Sequence, residues 1–217
     1  MSVQQEICDI GRLIYEKEYV AANDGNITVK MEDGTIWATP AGVSKGSMTP
    51  DMLVRVDGQG NVLEGTRKVS SEIYMHLRVY AERPDVRSVV HAHPITATGF
   101  AVAGVPLDKM TLPESIIYMG AIPIVEYGTP STNEIPDALS KYLQRYDAFL
   151  LENHGVLTVA ESLWNAYAKM ERIENCARVS LVARLLGGEQ ELPDFQIQKL
   201  LEVRKKFGCK GKHPLID

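Results

Sequence analysis

The sequence predicts an α/β protein of three layers, in which a central, largely antiparallel β-sheet is covered by helices on both faces. Two hairpin signals follow each other near the N-terminus, and short hairpins join antiparallel strands. Segments with the helical spacing of apolar residues lie before, between and after the strands. A sheet flanked in this way buries both of its faces against helices.

The first element predicted is an amphipathic helix over residues 3–19. Its apolar residues, among them Val3, Ile7 and Ile10, recur three and four positions apart. The turn Asn23-Asp24-Gly25-Asn26 ends this segment. Two hairpins follow, each with a turn that contains Asp and Gly. Their four strands are predicted at residues 27–30, 35–39, 52–56 and 61–63.

Helices and strands then alternate. Ser70, Ser71 and Glu72 precede a capped helix that ends at Arg83, because the residue before Pro84 avoids the helical region. The further strands are predicted at residues 88–93, 122–125, 148–151 and 155–159. The further helices are predicted at residues 94–103, 133–145 and 162–186, and the last of them stops at a pair of glycines.

Length and composition indicate an ordinary globular protein. With 217 residues, of which 45% are hydrophobic and 24% charged, we expect one domain over residues 1–217 with a C-terminal tail at about 190–217. The net charge of −5 argues against a nucleic-acid or membrane-surface partner. The three widely spaced cysteines and the absence of a signal-peptide pattern predict a cytoplasmic protein that neither is exported nor spans a membrane.

Three of the five histidines lie at strand positions where they could bind a metal. His91 and His93 are two residues apart on a predicted strand, so both project from the same face. His154 follows an apolar strand and could converge on them from the sheet edge. Three imidazoles and an open position are typical of catalytic zinc. The alternative is that these histidines are ordinary core and surface residues.

Glu72 is the candidate for a fourth ligand or a base. The local pattern favours another role for it, that of a capping glutamate in the first turn of its helix. His76 is four residues further on and could orient the Glu72 carboxylate or serve a structural role. Lys45, near a glycine turn, could contact an anion, but the pattern favours a solvated surface lysine.

Two turns rich in glycine and hydroxyl residues could hold a phosphate group. They are residues 23–26 and residues 39–46, and Ser70 and Ser71 add hydroxyl groups at a helix N-terminus. Each of the turns could also be an ordinary connection. Their occurrence together with the histidines favours a phosphorylated substrate.

Taken in order, these motifs resemble the class II aldolase/adducin superfamily, and most closely its L-fuculose-1-phosphate aldolase type. The resemblance covers about residues 3 to 190. Five short motifs carry it: Gly-Asn-Ile-Thr at 25–28, Thr-Pro-Ala-Gly at 39–42, Ser-Ser-Glu at 70–72, His-Ala-His at 91–93 and Asn-His-Gly at 153–155.

The resemblance implies a metal-dependent carbon–carbon lyase. One Zn²⁺ per subunit, with Mn²⁺ or Co²⁺ as alternatives, would be bound by His91, His93, His154 and Glu72. Glu72 would bind the metal in the resting site and, once displaced by substrate, move a proton at the enediolate carbon, which calls for a pKa raised toward neutrality. The substrate would be a ketose 1-phosphate cleaved to dihydroxyacetone phosphate and an aldehyde. The implied phosphate ligands are Gly25, Asn26, Gly42, Ser70 and Ser71.

The same resemblance implies a homotetramer with sites at subunit interfaces. The resemblance leaves the second proton donor unassigned, because the tail after Gly188 has no tyrosine. Glu114 and Tyr118 are the two candidates; an ordinary loop carboxylate and a packed aromatic are their alternatives. The phosphate turn also has Ala41 where the family often has threonine.

Other functions remain open. Within the superfamily they are a pentulose-5-phosphate 4-epimerase, a sugar-acid phosphate decarboxylase and a methylthioribulose-phosphate dehydratase. From another class comes an adducin-like binding module without catalysis, which would have no need of three convergent imidazoles.

Overall fold

The structure is a computed structural model and describes residues 2–216. In this part of the chain no helix is both long and apolar enough to cross a membrane. The helices are α1 (Val3–Glu16), α2 (Ile73–Glu82), α3 (Ile95–Val102), α4 (Pro113–Tyr118), α5 (Glu134–Ser140), α6 (Leu163–Leu185) and α7 (Asp194–Lys206). The strands are β1 (Asn26–Lys30), β2 (Ile36–Ala38), β3 (Val54–Val56), β4 (Val62–Glu64), β5 (Ser88–Ala92), β6 (Ile124–Val125), β7 (Ala148–Leu151) and β8 (Gly155–Ala160).

The eight strands form one sheet in the order β4-β3-β2-β1-β5-β8-β7-β6. Every neighbouring pair is antiparallel except β6 and β7, which are parallel. The two predicted hairpins are present as β1–β2 and β3–β4. The prediction of a largely antiparallel sheet is confirmed.

Apolar side chains alternate between the two faces of the sheet, as the period of two along a strand requires. In β5, Val89 packs in one core cluster and Val90 in the other. Helices α1, α3 and α6 cover the face that carries Val90, and helices α2 and α5 cover the opposite face. These three layers confirm the predicted fold class.

The helix predicted over residues 133–145 is shorter in the structure, where α5 ends at Ser140. The physical reason is the buried Arg83, whose guanidinium donates hydrogen bonds to Leu143 O at 2.7 Å and Tyr146 O at 3.2 Å. These carbonyl groups point to the arginine, so the chain continues in turns to β7.

Smaller differences occur at other element ends. Helix α1 ends at Glu16 rather than near residue 19, and Glu18 has a left-handed φ of 58°. Strand β3 starts at Val54, because Pro50 begins a short 3₁₀ turn before it. Strand β5 ends at Ala92.

Two helices, α4 and α7, were not predicted from the sequence. They pack on each other through a small separate apolar cluster formed by Met110, Ile116, Ile197 and Leu201. The predicted C-terminal tail therefore contains an ordered helix.

Candidate functional site

The sheet brings the three histidines together at one end of its central strands β5 and β8. His91 is the penultimate residue of β5, and His93 follows the end of that strand. His154 lies in the turn between β7 and β8, and β8 pairs with β5 in antiparallel register, with His91 opposite Leu157. The end of β5 and the start of β8 are thus neighbours, which places His154 next to the other two.

The three imidazole rings face a common centre. Their centroids are 4.9 Å apart for His91 and His93, 4.7 Å for His91 and His154, and 5.1 Å for His93 and His154. One nitrogen from each ring lies within 4.8 Å of the others. Nδ1 of His91 is hydrogen-bonded to Val156 O at 3.0 Å, which leaves its Nε2 free to face the centre.

The residues on either side of His154 explain the tight turn. Asn153 has a φ of 54°, a left-handed conformation that asparagine tolerates better than most residues. A Cβ at Gly155 would lie 2.5 Å from His93 Cδ2 and 2.7 Å from Ala92 O. Only glycine at 155 lets β8 approach the histidines this closely.

The Glu72 carboxylate lies against the histidines. Its Oε1 is 3.2 Å from His154 Nε2, and its Oε2 is 3.5 Å from His91 Nε2. Asn26 Nδ2 donates a hydrogen bond of 2.8 Å to Oε2. The side chain makes no capping bond to α2, so the capping role that the local sequence favoured is wrong. The carboxylate turns inward because Asn26 and the histidines offer it partners.

The ionisation of the site follows from burial and charge. Burial alone raises the pKa of the Glu72 carboxyl, but His91, His154 and Asn26 outweigh burial and hold this pKa well below its ordinary value. The carboxylate is therefore ionised in this arrangement. The raised pKa that the resemblance calls for concerns Glu72 once substrate has displaced it, and it stays a prediction. Burial lowers the pKa of His91 and His93, and the neighbouring histidines lower both further.

This donor set fits a divalent cation. Neutral imidazoles and a carboxylate are the protonation states in which these groups bind metals. Glu72 Oε1 is buried, and apart from the 3.2 Å approach of His154 Nε2 it has no polar partner, so a cation there would satisfy it. Three nitrogen donors and one oxygen donor are typical of a catalytic site for a borderline ion such as zinc. Among residues 2–216 this is the cluster of histidine, cysteine and acidic groups that could hold a metal.

A cavity of about 260 Å³ opens beside His93, His154 and Glu72. Two loops and the start of α2 form its other walls, and these include every residue that the resemblance implied for a phosphate group: Gly25, Asn26, Gly42, Ser70 and Ser71. Candidate metal ligands and candidate phosphate-binding residues thus line the same pocket.

Glycine is required in one of these loops for two reasons. Gly25 has a φ of 73°, and a Cβ there would lie 2.8 Å from His91 O. Gly42 has a similar φ of 71°, with no atom within 4 Å of an added Cβ. Left-handed backbone at both positions keeps the loops close to the pocket without side chains in the way.

Of two further residues near the pocket, Lys45 differs from expectation and His76 takes the structural role that was one of its two interpretations. Lys45 is 2% exposed and not a solvated surface lysine. Its Nζ donates hydrogen bonds to Asn23 O and Val43 O, both at 2.9 Å. His76 is fully buried, and its Nδ1 is 2.8 Å from Thr28 Oγ1. The contact of His76 with Thr28 gives it a structural partner.

The two candidates for the second acid lie outside this pocket. Glu114 is exposed at the start of α4 and lines a different cavity with Arg172 of α6. Tyr118 ends α4, and the Arg172 guanidinium stacks on its ring at 3.8 Å. In the described part of the chain, neither side chain lines the cavity beside the histidines.

The pocket also contains residues that the sequence did not single out individually as ligands. Asp24 lines the cavity, with its Oδ2 3.8 Å from His93 Nδ1. Pro130 and Ser131 also line the cavity, and Ser131 has a left-handed φ of 67°. Asp24 lies in the same turn as Gly25, which was the available signal; Pro130 and Ser131 lie in a loop with no such pattern.

The comparison with known proteins agrees with this geometry. The sequence profile of the family described as "Class II Aldolase and Adducin N-terminal domain" matches residues 5–181. The chain belongs to this family.

Relatives in the class II aldolase and adducin family carry two kinds of name. A protein from Methanococcus maripaludis named L-fuculose phosphate aldolase is 30% identical over 82% of this chain and 95% of its own length. A protein from Escherichia coli K12 named 3-oxo-tetronate 4-phosphate decarboxylase is 30% identical over 83% of this chain and 87% of its own. A solved structure named L-fuculose 1-phosphate aldolase has a TM-score of 0.87 and 32% identity, and covers 94% of this chain and 96% of that one.

Proposed function

We propose that this protein is a zinc-dependent aldolase that reversibly cleaves a ketose 1-phosphate to dihydroxyacetone phosphate and an aldehyde. The observation that carries the proposal is the convergence of His91, His93 and His154 with the Glu72 carboxylate at the wall of a pocket lined by glycine and serine residues. Relatives named L-fuculose phosphate aldolase support L-fuculose 1-phosphate or a related deoxy-ketose phosphate as substrate.

His91, His93, His154 and Glu72 would hold the metal, with Mn²⁺ and Co²⁺ as alternatives to Zn²⁺. When bound, the ion supplies Lewis-acid stabilisation of the oxygen on which negative charge develops. Such stabilisation makes a Schiff-base lysine unnecessary.

The side chains around Glu72 prepare it for proton transfer. Asn26 and the two nearest histidines keep the carboxylate ionised and pointed into the pocket. An ionised carboxylate can accept a proton, and we assign to it the proton on the carbon of dihydroxyacetone phosphate at which the carbon–carbon bond forms and breaks. Glu72 takes this proton in the condensation direction and returns it to the same carbon after cleavage. Because Glu72 is only 15% exposed, bulk water has little access to this proton.

The phosphate group of the substrate would lie between Gly25 and Gly42 on one side and Ser70 and Ser71 on the other. Backbone N–H groups of left-handed turns and serine hydroxyls are donors that suit a phosphate dianion. Asn26 is committed to Glu72 through its Nδ2, so its share in phosphate binding would come from the backbone.

We further propose that Glu114 or Tyr118 of a neighbouring chain supplies the second proton donor in a homotetramer. Neither residue lines the histidine pocket of its own chain, so a role in catalysis requires that another chain brings it there. The unpaired Cys8, Cys176 and Cys209 support a reducing compartment, the cytoplasm.

A sugar-acid phosphate decarboxylase is the second candidate. The observation that favours it is the decarboxylase name of a relative as similar as the aldolases. The metal ligands and the phosphate loops would serve that reaction equally well. A binding module gives no reason for the convergent imidazoles.

The test is product analysis on purified, zinc-loaded protein. L-fuculose 1-phosphate and related ketose 1-phosphates are assayed for release of dihydroxyacetone phosphate, and 3-oxo-tetronate 4-phosphate is assayed for release of CO₂. The proposal predicts that dihydroxyacetone phosphate is released and that a chelator abolishes the release. CO₂ from the acid with no dihydroxyacetone phosphate from any ketose would replace the aldolase by the decarboxylase.

A further inference from the structure

Lys45 is buried beside the candidate phosphate pocket although it has no role in the site described so far. It begins a short 3₁₀ turn, Lys45–Ser47, which follows the loop that carries Gly42. Its side chain is 2% exposed. Such burial is unusual for lysine and costs free energy unless the ammonium group has partners.

The partners of Lys45 belong to the two loops of the pocket. Its Nζ donates to Asn23 O in one loop and to Val43 O in the other, both at 2.9 Å. Asn23 lines the pocket itself, and Val43 directly follows Gly42, which also lines it. One side chain therefore fixes the spacing between the loops.

The packing of α1 excludes water from this lysine. A Cβ at Gly11 of α1 would lie 3.0 Å from Lys45 O, and a Cβ at Gly46 would lie 2.5 Å from the Tyr15 ring. Both glycines let α1 lie directly on the 3₁₀ turn. Lys45 thus lies between α1 on one side and the two pocket loops on the other.

The charge of Lys45 has no counter-ion of its own. Among residues 2–216, no carboxylate forms an ion pair with it. Burial lowers the pKa of Lys45 to about 8, and Asp24 and Glu72 offset only part of that effect. A neutral amine would still have the two N–H groups that the carbonyls need. The fold therefore does not require the positive charge of Lys45, and this charge would attract an anion in the pocket.

We propose that Lys45 is a positioning residue of a phosphate subsite: it fixes the two loops and supplies the buried positive charge that holds the phosphate dianion in their N–H groups. This inference rests on the proposed function only in that the substrate is phosphorylated. It applies equally to an aldolase and a decarboxylase.

The test measures binding of inorganic phosphate by calorimetry to the zinc-loaded wild type and to three variants. Lys45→Met removes the charge and both hydrogen bonds, and Lys45→Arg retains the charge. Lys68→Met is the matched control, because Lys68 is exposed and only its backbone contacts the phosphate loop, through Ala41. Metal content and thermal unfolding are measured for each variant to establish that it is folded.

We expect at least about tenfold weaker phosphate binding for Lys45→Met, with less loss for Lys45→Arg and none for Lys68→Met. With a phosphorylated substrate, the KM of Lys45→Met should rise more than its kcat falls. Equal phosphate affinity in the wild type and Lys45→Met would overturn the role of Lys45 while leaving the phosphate site intact. A wild type that binds no phosphate would overturn the subsite as a whole.

If Lys45→Met does not fold, a titration of the wild type still tests the proposal. The ¹³Cε NMR signal of Lys45, assigned by its loss in Lys45→Arg, is followed during a phosphate titration. A phosphate dianion next to a buried ammonium raises its pKa. The proposal requires this upward change, and an unchanged Lys45 pKa at saturating phosphate would refute it.

Discussion

Gly155 lies so close to His93 that a Cβ at position 155 would be 2.5 Å from the imidazole Cδ2. The backbone of Ala92 closes the other side, with its carbonyl oxygen 2.7 Å from the same Cβ. A methyl group therefore has no room unless the His93 ring or β8 moves. We predict that Gly155→Ala lowers zinc affinity by about tenfold or more, a loss typical of displaced ligands.

The matched control is Gly99→Ala in α3, where no atom lies within 4 Å of an added Cβ. Alanine there should stabilise the helix by about 0.5–1 kcal/mol and leave zinc affinity unchanged. Competition with a chromophoric chelator measures both affinities. Equal zinc affinity in Gly155→Ala and the wild type would contradict the described packing.

Substitution of Glu72 separates catalysis from metal binding. Glu72→Gln keeps the size of the side chain and the three imidazoles but removes the charge that accepts a proton. We expect zinc to remain bound and turnover to fall by about 10²- to 10⁴-fold. Glu32→Gln, at a 90% exposed carboxylate, should retain wild-type activity. Steady-state kinetics with paired metal analysis checks both variants, and undiminished turnover in Glu72→Gln would exclude Glu72 as the base.

A buried charge network lies at the ends of β7 and β8 that are opposite the histidines, and it should contribute strongly to stability. Asp147 is 2.8 Å from Arg83 Nη2 and 2.7 Å from Lys169 Nζ, and all three side chains are buried. Asp147→Asn leaves two buried cations without their shared carboxylate, and we expect a loss of about 3–5 kcal/mol. Asp85 also pairs with Arg83 but is half exposed, so Asp85→Asn should cost less than about 1 kcal/mol. Urea unfolding compares the two variants, and similar losses would contradict the buried network.

His76 should make the protein sensitive to acid. Burial lowers its pKa from 6.5 to about 4, with Glu72 offsetting a small part. The unfolded chain then binds a proton at higher pH than the folded protein, so folding stability falls as the pH decreases from about 6.5 to 4. The full contribution is roughly 3 kcal/mol.

The measurement is the free energy of unfolding of metal-free wild type and His76→Gln at several pH values. The other histidines are present in both proteins, so their contributions cancel in the difference. The stability difference between the two proteins should shrink as the pH decreases through this window. A difference independent of pH would show that His76 is not buried as a neutral group.

The fold could be predicted from the sequence because its signals are local. Alternation of apolar residues and Asp-Gly turns mark the strands, and both depend only on neighbouring residues. Helix α7 lacked a comparable signal, since it is rich in charge and buries only Ile197, Leu201 and Arg204. Helix α4 is too short to show a period.

The site could be predicted only in part, for a different reason. The histidines stand out because three of the five lie in or beside predicted strands, and two of them project from one face. Glu72 has the same local pattern as a capping residue, and its actual orientation depends on Asn26 and His154, which are distant in sequence. The burial of Lys45 likewise depends on α1, through Gly11 and Gly46. Tertiary packing decides these cases and leaves no mark in the surrounding sequence.

The most direct test of the central claim is elemental analysis of the purified wild type and His93→Ala, prepared in parallel with zinc in the medium. We predict about one zinc ion per wild-type chain and almost none in His93→Ala, because two imidazoles and a carboxylate bind zinc far more weakly than the full set. A wild type without metal, or a His93→Ala variant that retains its full zinc content, would contradict the assignment of this site.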